Sequence, residues 1–179
     1  MINSKKDLKK YISEDKKANY YSFKKQLLDC LIGGGLFPFS FLKNLRKLEY
    51  AINCKKRVRK KIRLIKHLKF CRKYGCVIPP NVLGCGVRID HLNGIIINSK
   101  VRMGDNCIIF QGVTIGDHGK NNDGCALIGD NCFIGAGALI IGNIRIGNNV
   151  YVGAGTVVTH DVQSDVTIVG NPARILRSK

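Results

Sequence analysis

Residues 128–158 have the sequence IGDNCF IGAGAL IIGNIR IGNNVY VGAGTV V when they are divided into blocks of six. An aliphatic residue opens every block, from Ile128 to Val158, and the fifth residue of each complete block is small or β-branched. A period of six matches neither the 3.6 residues of an α-helix nor the two residues of an ordinary strand. The stretch therefore indicates a repeat architecture rather than a sandwich of independent strands.

The same period of six continues toward the N terminus of the chain, with two breaks in phase. Aliphatic residues keep it at Ile115, Ile109, Met103 and Ile97, and again at Ile89, Leu83 and Val77. A period of six suits a triangular coil, whose sides are short strands with one inward aliphatic residue and whose corners need glycine or asparagine. The sequence thus predicts a mainly β fold, a left-handed parallel β-helix of hexapeptide repeats with an N-terminal α-helical segment.

Two interruptions of the phase mark candidate functional segments. The first falls at Asp90-His91-Leu92-Asn93-Gly94 and adds two residues to a hexad. The second covers residues 117–125 and adds one residue to two hexads. Because loops on a rigid scaffold often carry function, we expect the functional site at these interruptions.

The distribution of charge divides the chain near residue 75. Residues 1–75 contain 22 Lys or Arg against 5 Asp or Glu, whereas residues 76–179 contain 8 against 7. We therefore predict a basic α-helical region at 1–75. The β-helix would occupy 76–179, with a loop at 117–125 and a C-terminal tail.

The basic region is predicted to contain helices at Tyr20–Cys30 and Phe41–Tyr74, separated by Gly33-Gly34-Gly35 and Pro38. Its interrupted apolar face consists of Leu42, Leu45, Leu48, Ile52, Ile62, Ile65, Leu68 and Phe70. One interpretation is a solvated helix that covers the open strand edges at the end of the β-helix. The alternative is a basic amphipathic helix on an anionic membrane surface. No nucleic acid partner is expected, because no zinc, helix-turn-helix or RNA-binding signature is present.

The cysteines and the N terminus suggest a cytoplasmic protein. The eight cysteines, at 30, 54, 71, 76, 85, 107, 125 and 132, form neither a CxxC pair nor a metal-ligand spacing. We expect them to be reduced and apolar, with no metal bound. Residues 1–6 do not resemble a secretory signal. The predicted location is therefore the cytoplasm, or the inner face of the membrane if the basic helix binds lipid.

His91 is the candidate catalytic residue among four histidines. It lies two places after the inward Ile89, so its side chain should point out of the coil beside a glycine corner. An imidazole placed there can act as a general base, because imidazole titrates near neutral pH. The alternative is a hydrated surface histidine, which is what we expect of His67 and His160.

Four motifs together resemble the serine O-acetyltransferase family of hexapeptide transferases over roughly residues 76–176. They are Asp90–Gly94, Gln111–Lys120, Ile134–Ala138 and Val169–Ile175. In that family the histidine of the Asp-His pair takes the proton from the acceptor hydroxyl, which then attacks the acetyl-CoA thioester. The resemblance implies that His91 is the general base and that Asp90 contacts the acceptor.

The resemblance also implies how the co-substrate is held. The family binds acetyl-CoA, which is not a permanently bound cofactor, along a groove between neighbouring subunits of a homotrimer. Carried over, the contacts fall on Asp117, on Gly135-Ala136 and Gly153-Ala154, and on Pro172-Ala173-Arg174. The small residues would leave backbone groups accessible to the pantetheine arm, and a backbone N–H there could hold the thioester oxyanion. They also suit tight corner packing, which is the alternative.

The phosphates of CoA need cationic partners. The candidate contacts are Lys120, Arg174 and Arg177, because guanidinium and ammonium groups are the usual partners of phosphate in proteins.

The chain departs from the family at positions around the site. Cys76 aligns with the aspartate that partners the catalytic histidine, and a thiol cannot stabilise an imidazolium as a carboxylate does. Cys125, after Gly124, aligns with a second active-site histidine, which follows an arginine and helps to recognise serine. The N-terminal helical region is shorter than in the family. The extension that docks into cysteine synthase is absent, so no such complex is expected.

Loop residues 121–129 resemble the loop of enzymes of surface-polysaccharide synthesis, including the colanic acid acetyltransferase. We therefore expect acetyl transfer to a hydroxyl of a capsule, lipopolysaccharide or exopolysaccharide sugar. His118 would contact the acceptor in place of the missing histidine. A serine O-acetyltransferase and a non-catalytic β-helix scaffold are the alternatives.

Overall fold

A computed structural model describes residues 1–19, 38–119 and 124–178. The described helices are α1 at Lys5–Ala18, α2 at Pro38–Asn53 and α3 at Arg57–Tyr74. The sequence did not predict α1, which begins where the Ser4 hydroxyl accepts a hydrogen bond from the Asp7 N–H. The prediction of one helix from Phe41 to Tyr74 is wrong, because the chain turns at Lys55, whose φ of 53° is left-handed. The helix predicted at Tyr20–Cys30 lies outside the described residues.

Short strands follow α3 and stack into three flat faces. The strands are β1 Arg88–Ile89, β2 Ile96–Ile97, β3 Arg102–Met103, β4 Ile108–Ile109, β5 Thr114–Gly116, β6 Leu127–Ile128, β7 Phe133–Ile134, β8 Leu139–Ile141, β9 Arg145–Ile146, β10 Tyr151–Val152, β11 Val157–Val158, β12 Val166–Val169 and β13 Arg174–Ser178. Face 1 has the order β1-β4-β7-β10-β12-β13, face 2 the order β2-β5-β8-β11 and face 3 the order β3-β6-β9. All pairs are parallel except β12 with β13. The predicted left-handed parallel β-helix is confirmed.

The hexad correctly predicted which side chains fill the coil. The aliphatic residues that open each block, from Ile128 to Val158, are all buried. Val77 is the exception: it is 54% exposed, while its neighbours Cys76 and Ile78 are buried. The reason is local, since the chain leaves α3 through Gly75 in the left-handed region and enters the first coil out of phase with the later hexads.

Helix α2 packs on the first coil of the β-helix. Phe41, Leu42 and Leu45 belong to the same buried cluster as Ile78 and Val82. The predicted apolar face is therefore divided, because Leu42, Leu45 and Leu48 of α2 are buried whereas Ile62, Ile65 and Leu68 of α3 are exposed. No helix within the described ranges is long and apolar enough to cross a membrane.

Candidate active site

The turns from face 1 to face 2 stack into a column, which we name the first corner. Its successive turns are Asp90–Gly94, Phe110–Gly112, Gly135–Gly137 and Gly153–Gly155. Each turn ends on a glycine with φ between 64° and 71°, a region that favours glycine. Backbone hydrogen bonds of 2.8–2.9 Å join each turn to the next: Gly112 N–H to Asn93 O, Gly137 N–H to Gln111 O, and Gly155 N–H to Ala136 O.

His91 lies at the N-terminal end of this column. Its side chain is exposed, and the preceding Ile89 is buried in the coil, as the sequence predicts. Ala136 lies two coils further along the same corner and Ala154 three coils further. At about 4.8 Å per coil, these distances are about 10 Å and 14 Å along the axis. The fold thus brings the predicted general base to one edge with four of the predicted acetyl-CoA contacts, Gly135-Ala136 and Gly153-Ala154.

Asp90 is held by a residue that the sequence analysis did not single out. Nε of Arg88 lies 2.6 Å from Oδ1 of Asp90, and a second guanidinium nitrogen lies 3.0 Å from Oδ2. The two residues flank the inward Ile89 and so point to the same outer side of β1. Bidentate pairing fixes the carboxylate next to His91. The signal in the sequence is a pair of opposite charges two residues apart on a strand.

The turns from face 2 to face 3 form a second corner, which contains the described residues of the predicted loop, 117–119 and 124–125. Asp117 shapes this loop, because its carboxylate accepts hydrogen bonds from the Asn98 amide at 3.1 Å and from the Gly119 N–H at 2.8 Å. The ring of His118 lies directly over Gly142 of the next coil, where a β-carbon would collide with Nε2. Lys120 is outside the described residues. Within one chain, face 2 separates Asp117 and His118 from His91.

The two cysteines that align with family site residues are buried. Interaction with the Cys71 thiol, together with burial, raises the pKa of the Cys76 thiol above its ordinary value. Cys125 belongs to the core cluster beside the loop. Neither thiol therefore replaces the missing aspartate or histidine at an accessible position.

His67 is buried, so the prediction of an ordinary surface histidine is wrong there. Its ring centroid lies 5.4 Å from that of Phe41, and its Nε2 lies 3.6 Å from the Cys71 Sγ. His160 is exposed, as predicted, with Nδ1 2.9 Å from the Thr159 hydroxyl.

The C-terminal tail covers the last coil. Ala173 N–H donates to Val157 O at 2.9 Å, and β13 then runs antiparallel along β12. Ala173 and Arg174 line a groove of about 520 Å³ together with Arg145, His160, Asp161 and Gln163. The predicted phosphate contact Arg177 lies nearby on β13, with Nε 3.4 Å from the Thr167 hydroxyl.

Comparison with known proteins agrees with this architecture. Residues 125–160 match the model of the bacterial transferase hexapeptide family (six repeats). The chain is 44% identical over 115 residues to the serine acetyltransferase of Synechococcus elongatus, covering 64% of this chain and 47% of that protein. It is also 44% identical over 126 residues to the chloroplastic serine acetyltransferase 1 of Arabidopsis thaliana, covering 69% of this chain and 40% of that protein.

Solved structures extend the similarity over nearly the whole chain. The soybean serine acetyltransferase apoenzyme superposes with a TM-score of 0.75 at 32% identity, covering 94% of this chain and 69% of that one. The Neisseria gonorrhoeae serine acetyltransferase superposes with a TM-score of 0.77 at 30% identity, covering 99% of this chain and 67% of that one. The chain spans less than half the length of the curated relatives named above.

These relatives overturn the expectation of a surface-polysaccharide acceptor. That expectation depended on the missing loop residues at Gly124 and Cys125 and on a likeness to polysaccharide acetyltransferases. The relatives that match at 44% identity are named as serine acetyltransferases, and so are the matching structures. A sugar acceptor and a role in polysaccharide synthesis are therefore contradicted.

Proposed function

The chain belongs to the serine acetyltransferase family of hexapeptide-repeat acyltransferases, and we propose that it transfers the acetyl group of acetyl-CoA to the hydroxyl of L-serine. The observation that carries the proposal is the position of His91, exposed at the end of a column of small residues in the part of the chain that matches these enzymes.

The proposed chemistry uses His91 as a general base. Its imidazole takes the proton from the serine hydroxyl while the hydroxyl oxygen attacks the thioester carbonyl. The tetrahedral intermediate then expels the CoA thiolate, which the imidazolium protonates. The products are O-acetylserine and CoA, and backbone N–H groups of the first corner are the candidate donors to the oxyanion.

The pair formed by Arg88 and Asp90 supports an amino acid as the acceptor. L-Serine carries an ammonium and a carboxylate, which are complementary to one carboxylate and one guanidinium. The pair lies beside His91 on the outer side of β1. Arg88 also supplies a cation near the site, which matters because the loop position where the family has arginine is Gly124 here.

Acetyl-CoA would lie along the first corner. Its thioester would be near His91, with the pantetheine arm following Gly135-Ala136 and Gly153-Ala154. The column extends about 14 Å from His91 to Ala154, and the tail with Pro172, Ala173 and Arg174 follows it. Arg174 and Arg177 are exposed, so they remain candidates for the phosphates, as does Lys120.

The proposed enzyme works as a homotrimer with its face 2 toward the threefold axis. The outward residues of this face are in register across the strands, from Val77 and Ile96 through Thr114 to Leu139 and Val157. Ile96 and Leu139 are among its exposed aliphatic residues. A cyclic arrangement around this apolar face would set the second corner of one subunit, with Asp117 and His118, against the first corner of the next.

The test is an assay of the full chain with acetyl-CoA and L-serine. Saturable release of CoA, with O-acetylserine detected by mass spectrometry, is the expected result. L-Alanine, which lacks the hydroxyl, should give no release above spontaneous hydrolysis. His91→Ala should lower kcat by about two to four orders of magnitude, whereas His160→Ala, also an exposed histidine, should not. A wild-type protein that binds acetyl-CoA but does not acetylate L-serine would overturn the proposal.

A further inference from the structure

Helix α3 has two apolar sides, and only one of them is covered. One side carries His67, Phe70 and Tyr74 toward the first coil and α2. The other side presents Val58, Ile62 and Ile65, which are 72%, 60% and 57% exposed. Their spacing of four and three residues places them in one row along the helix, which we name the outer row.

Cations surround the outer row. At 3.6 residues per turn, Lys61 and Arg72 lie on one side of it, Lys66 and Lys73 lie on the other, and Lys69 continues its line. Helix α3 contains nine Lys or Arg and no Asp or Glu. The ion pairs among residues 1–19, 38–119 and 124–178 involve Lys17, Arg46 and Arg88, and none uses a cation of α3.

The positive field of α3 reaches its neighbour α2. The pKa of Lys47 lies below its ordinary value because of burial and because Arg63, Lys43 and Lys66 repel its proton. The surface formed by α2 and α3 is thus basic, and the exposed aliphatic side chains of the outer row lie within it.

The chemistry of this surface identifies its partner. A second copy of α3 would bring nine more cations against it, which like-charge repulsion opposes. A nucleic acid would be bound by the cations but would leave the aliphatic row in water. An anionic lipid bilayer satisfies both, because aliphatic side chains enter the region between headgroups and acyl chains while lysine and arginine extend to the phosphates.

We propose that the outer row of α3 docks on an anionic phospholipid surface, with the helix axis in the plane of the membrane. The covered side of α3 faces the first coil, so the β-helix lies on the side away from the lipid. This inference is independent of the acceptor, since α3 lies outside the proposed catalytic residues.

Co-sedimentation of the full chain with vesicles tests the proposal. Binding is expected to vesicles that contain phosphatidylglycerol, and not to pure phosphatidylcholine, and it should weaken at high ionic strength. The triple variant Val58→Ser, Ile62→Ser, Ile65→Ser should bind about tenfold more weakly or worse. Because these side chains are exposed, the variant should unfold at the wild-type temperature, which thermal denaturation checks.

Two charge variants separate a specific surface from net charge. Lys61→Gln, Lys69→Gln, Arg72→Gln should lose roughly fivefold in binding per residue. The matched control, Lys5→Gln, Lys6→Gln, Lys9→Gln on the exposed side of α1, removes the same charge and should retain binding within about twofold.

Four outcomes would overturn the proposal. One is no binding to anionic vesicles. Another is equal loss in the α1 and α3 charge variants, which would indicate attraction by net charge alone. The third is retention of vesicle binding by the serine variant, which would assign the surface to electrostatic contacts. The fourth is preferential binding of a single-stranded oligonucleotide, unchanged in the serine variant, which would assign the surface to nucleic acid.

Discussion

Nε of Arg46 lies 2.7 Å from Oδ2 of Asp15, and both side chains are shielded from solvent. The same guanidinium binds Glu49 at 3.1 Å and donates to the Leu83 carbonyl at 3.0 Å. Asp15 also accepts from the Val87 N–H at 3.2 Å. One side chain of α2 therefore connects α1 to the first coil of the β-helix, and its neighbour Glu49 belongs to the same network.

Replacing Arg46 by methionine should strongly destabilise the fold. The variant leaves two buried carboxylates without their cation, which costs about 3–5 kcal/mol when one partner of a buried pair is removed. Urea denaturation of the two proteins measures the difference. The control is Lys17→Met, which breaks the exposed pair with Glu14 and should cost about 0.5 kcal/mol or less. Equal losses in the two variants would contradict a structural role for the buried network.

The corrected phase of the first coil predicts opposite behaviour of two neighbouring residues. Ile78→Ala removes a fully buried side chain and should cost about 2–5 kcal/mol. Val77→Ala removes a side chain that is exposed on the single subunit, on face 2, and should cost the subunit less than about 1 kcal/mol. Thermal or urea unfolding of the two variants tests which residue points inward. If the first coil kept the hexad phase, Val77→Ala would be the more destabilising substitution.

Arg88 should position Asp90 and bind the acceptor rather than take part in proton transfer. Arg88→Met removes charge-assisted hydrogen bonds, so the KM for L-serine should rise about ten- to hundredfold. The KM for acetyl-CoA and the dependence of kcat on pH should change little. Arg102→Met, an outward arginine on face 3, is the control. A fall in kcat alone, at an unchanged KM for L-serine, would show that this assignment is wrong.

The apolar face 2 should hold the proposed trimer together. Leu139→Asp places a charge in the middle of that face, so light scattering should give the mass of a monomer and acetyl transfer should fall with it. Val58→Asp puts the same charge on an exposed aliphatic site of α3, away from face 2, and should leave the mass unchanged. A Leu139→Asp protein that keeps its mass would move the interface to another face.

The sequence predicted the β-helix because its repeat is local: each inward aliphatic residue belongs to its own hexad. It did not predict α1, whose mean hydropathy is low and whose docking depends on the distant Arg46. Nor did it predict the burial of His67, which follows from packing between Phe41 and Cys71.

The candidate site was predicted in part. The extra residues at Asp90–Gly94 located the corner with His91, since an insertion must leave the regular coil. The position of Asp117 and His118 across face 2 from His91 could not be deduced, because it depends on how sides and corners alternate in three dimensions. The sugar acceptor was inferred from the missing loop residues and from a likeness to polysaccharide acetyltransferases, without the pair of Arg88 and Asp90.

The first corner also fixes a length along the edge of the β-helix. Each coil adds about 4.8 Å, so the distance from His91 to Ala154 is set by the number of coils between them and not by any single side chain. A tandem duplication of three hexads within that interval would lengthen the edge by one step and preserve every corner turn. In such a solenoid, the distance between His91 and the small residues of later coils therefore changes only in whole coils.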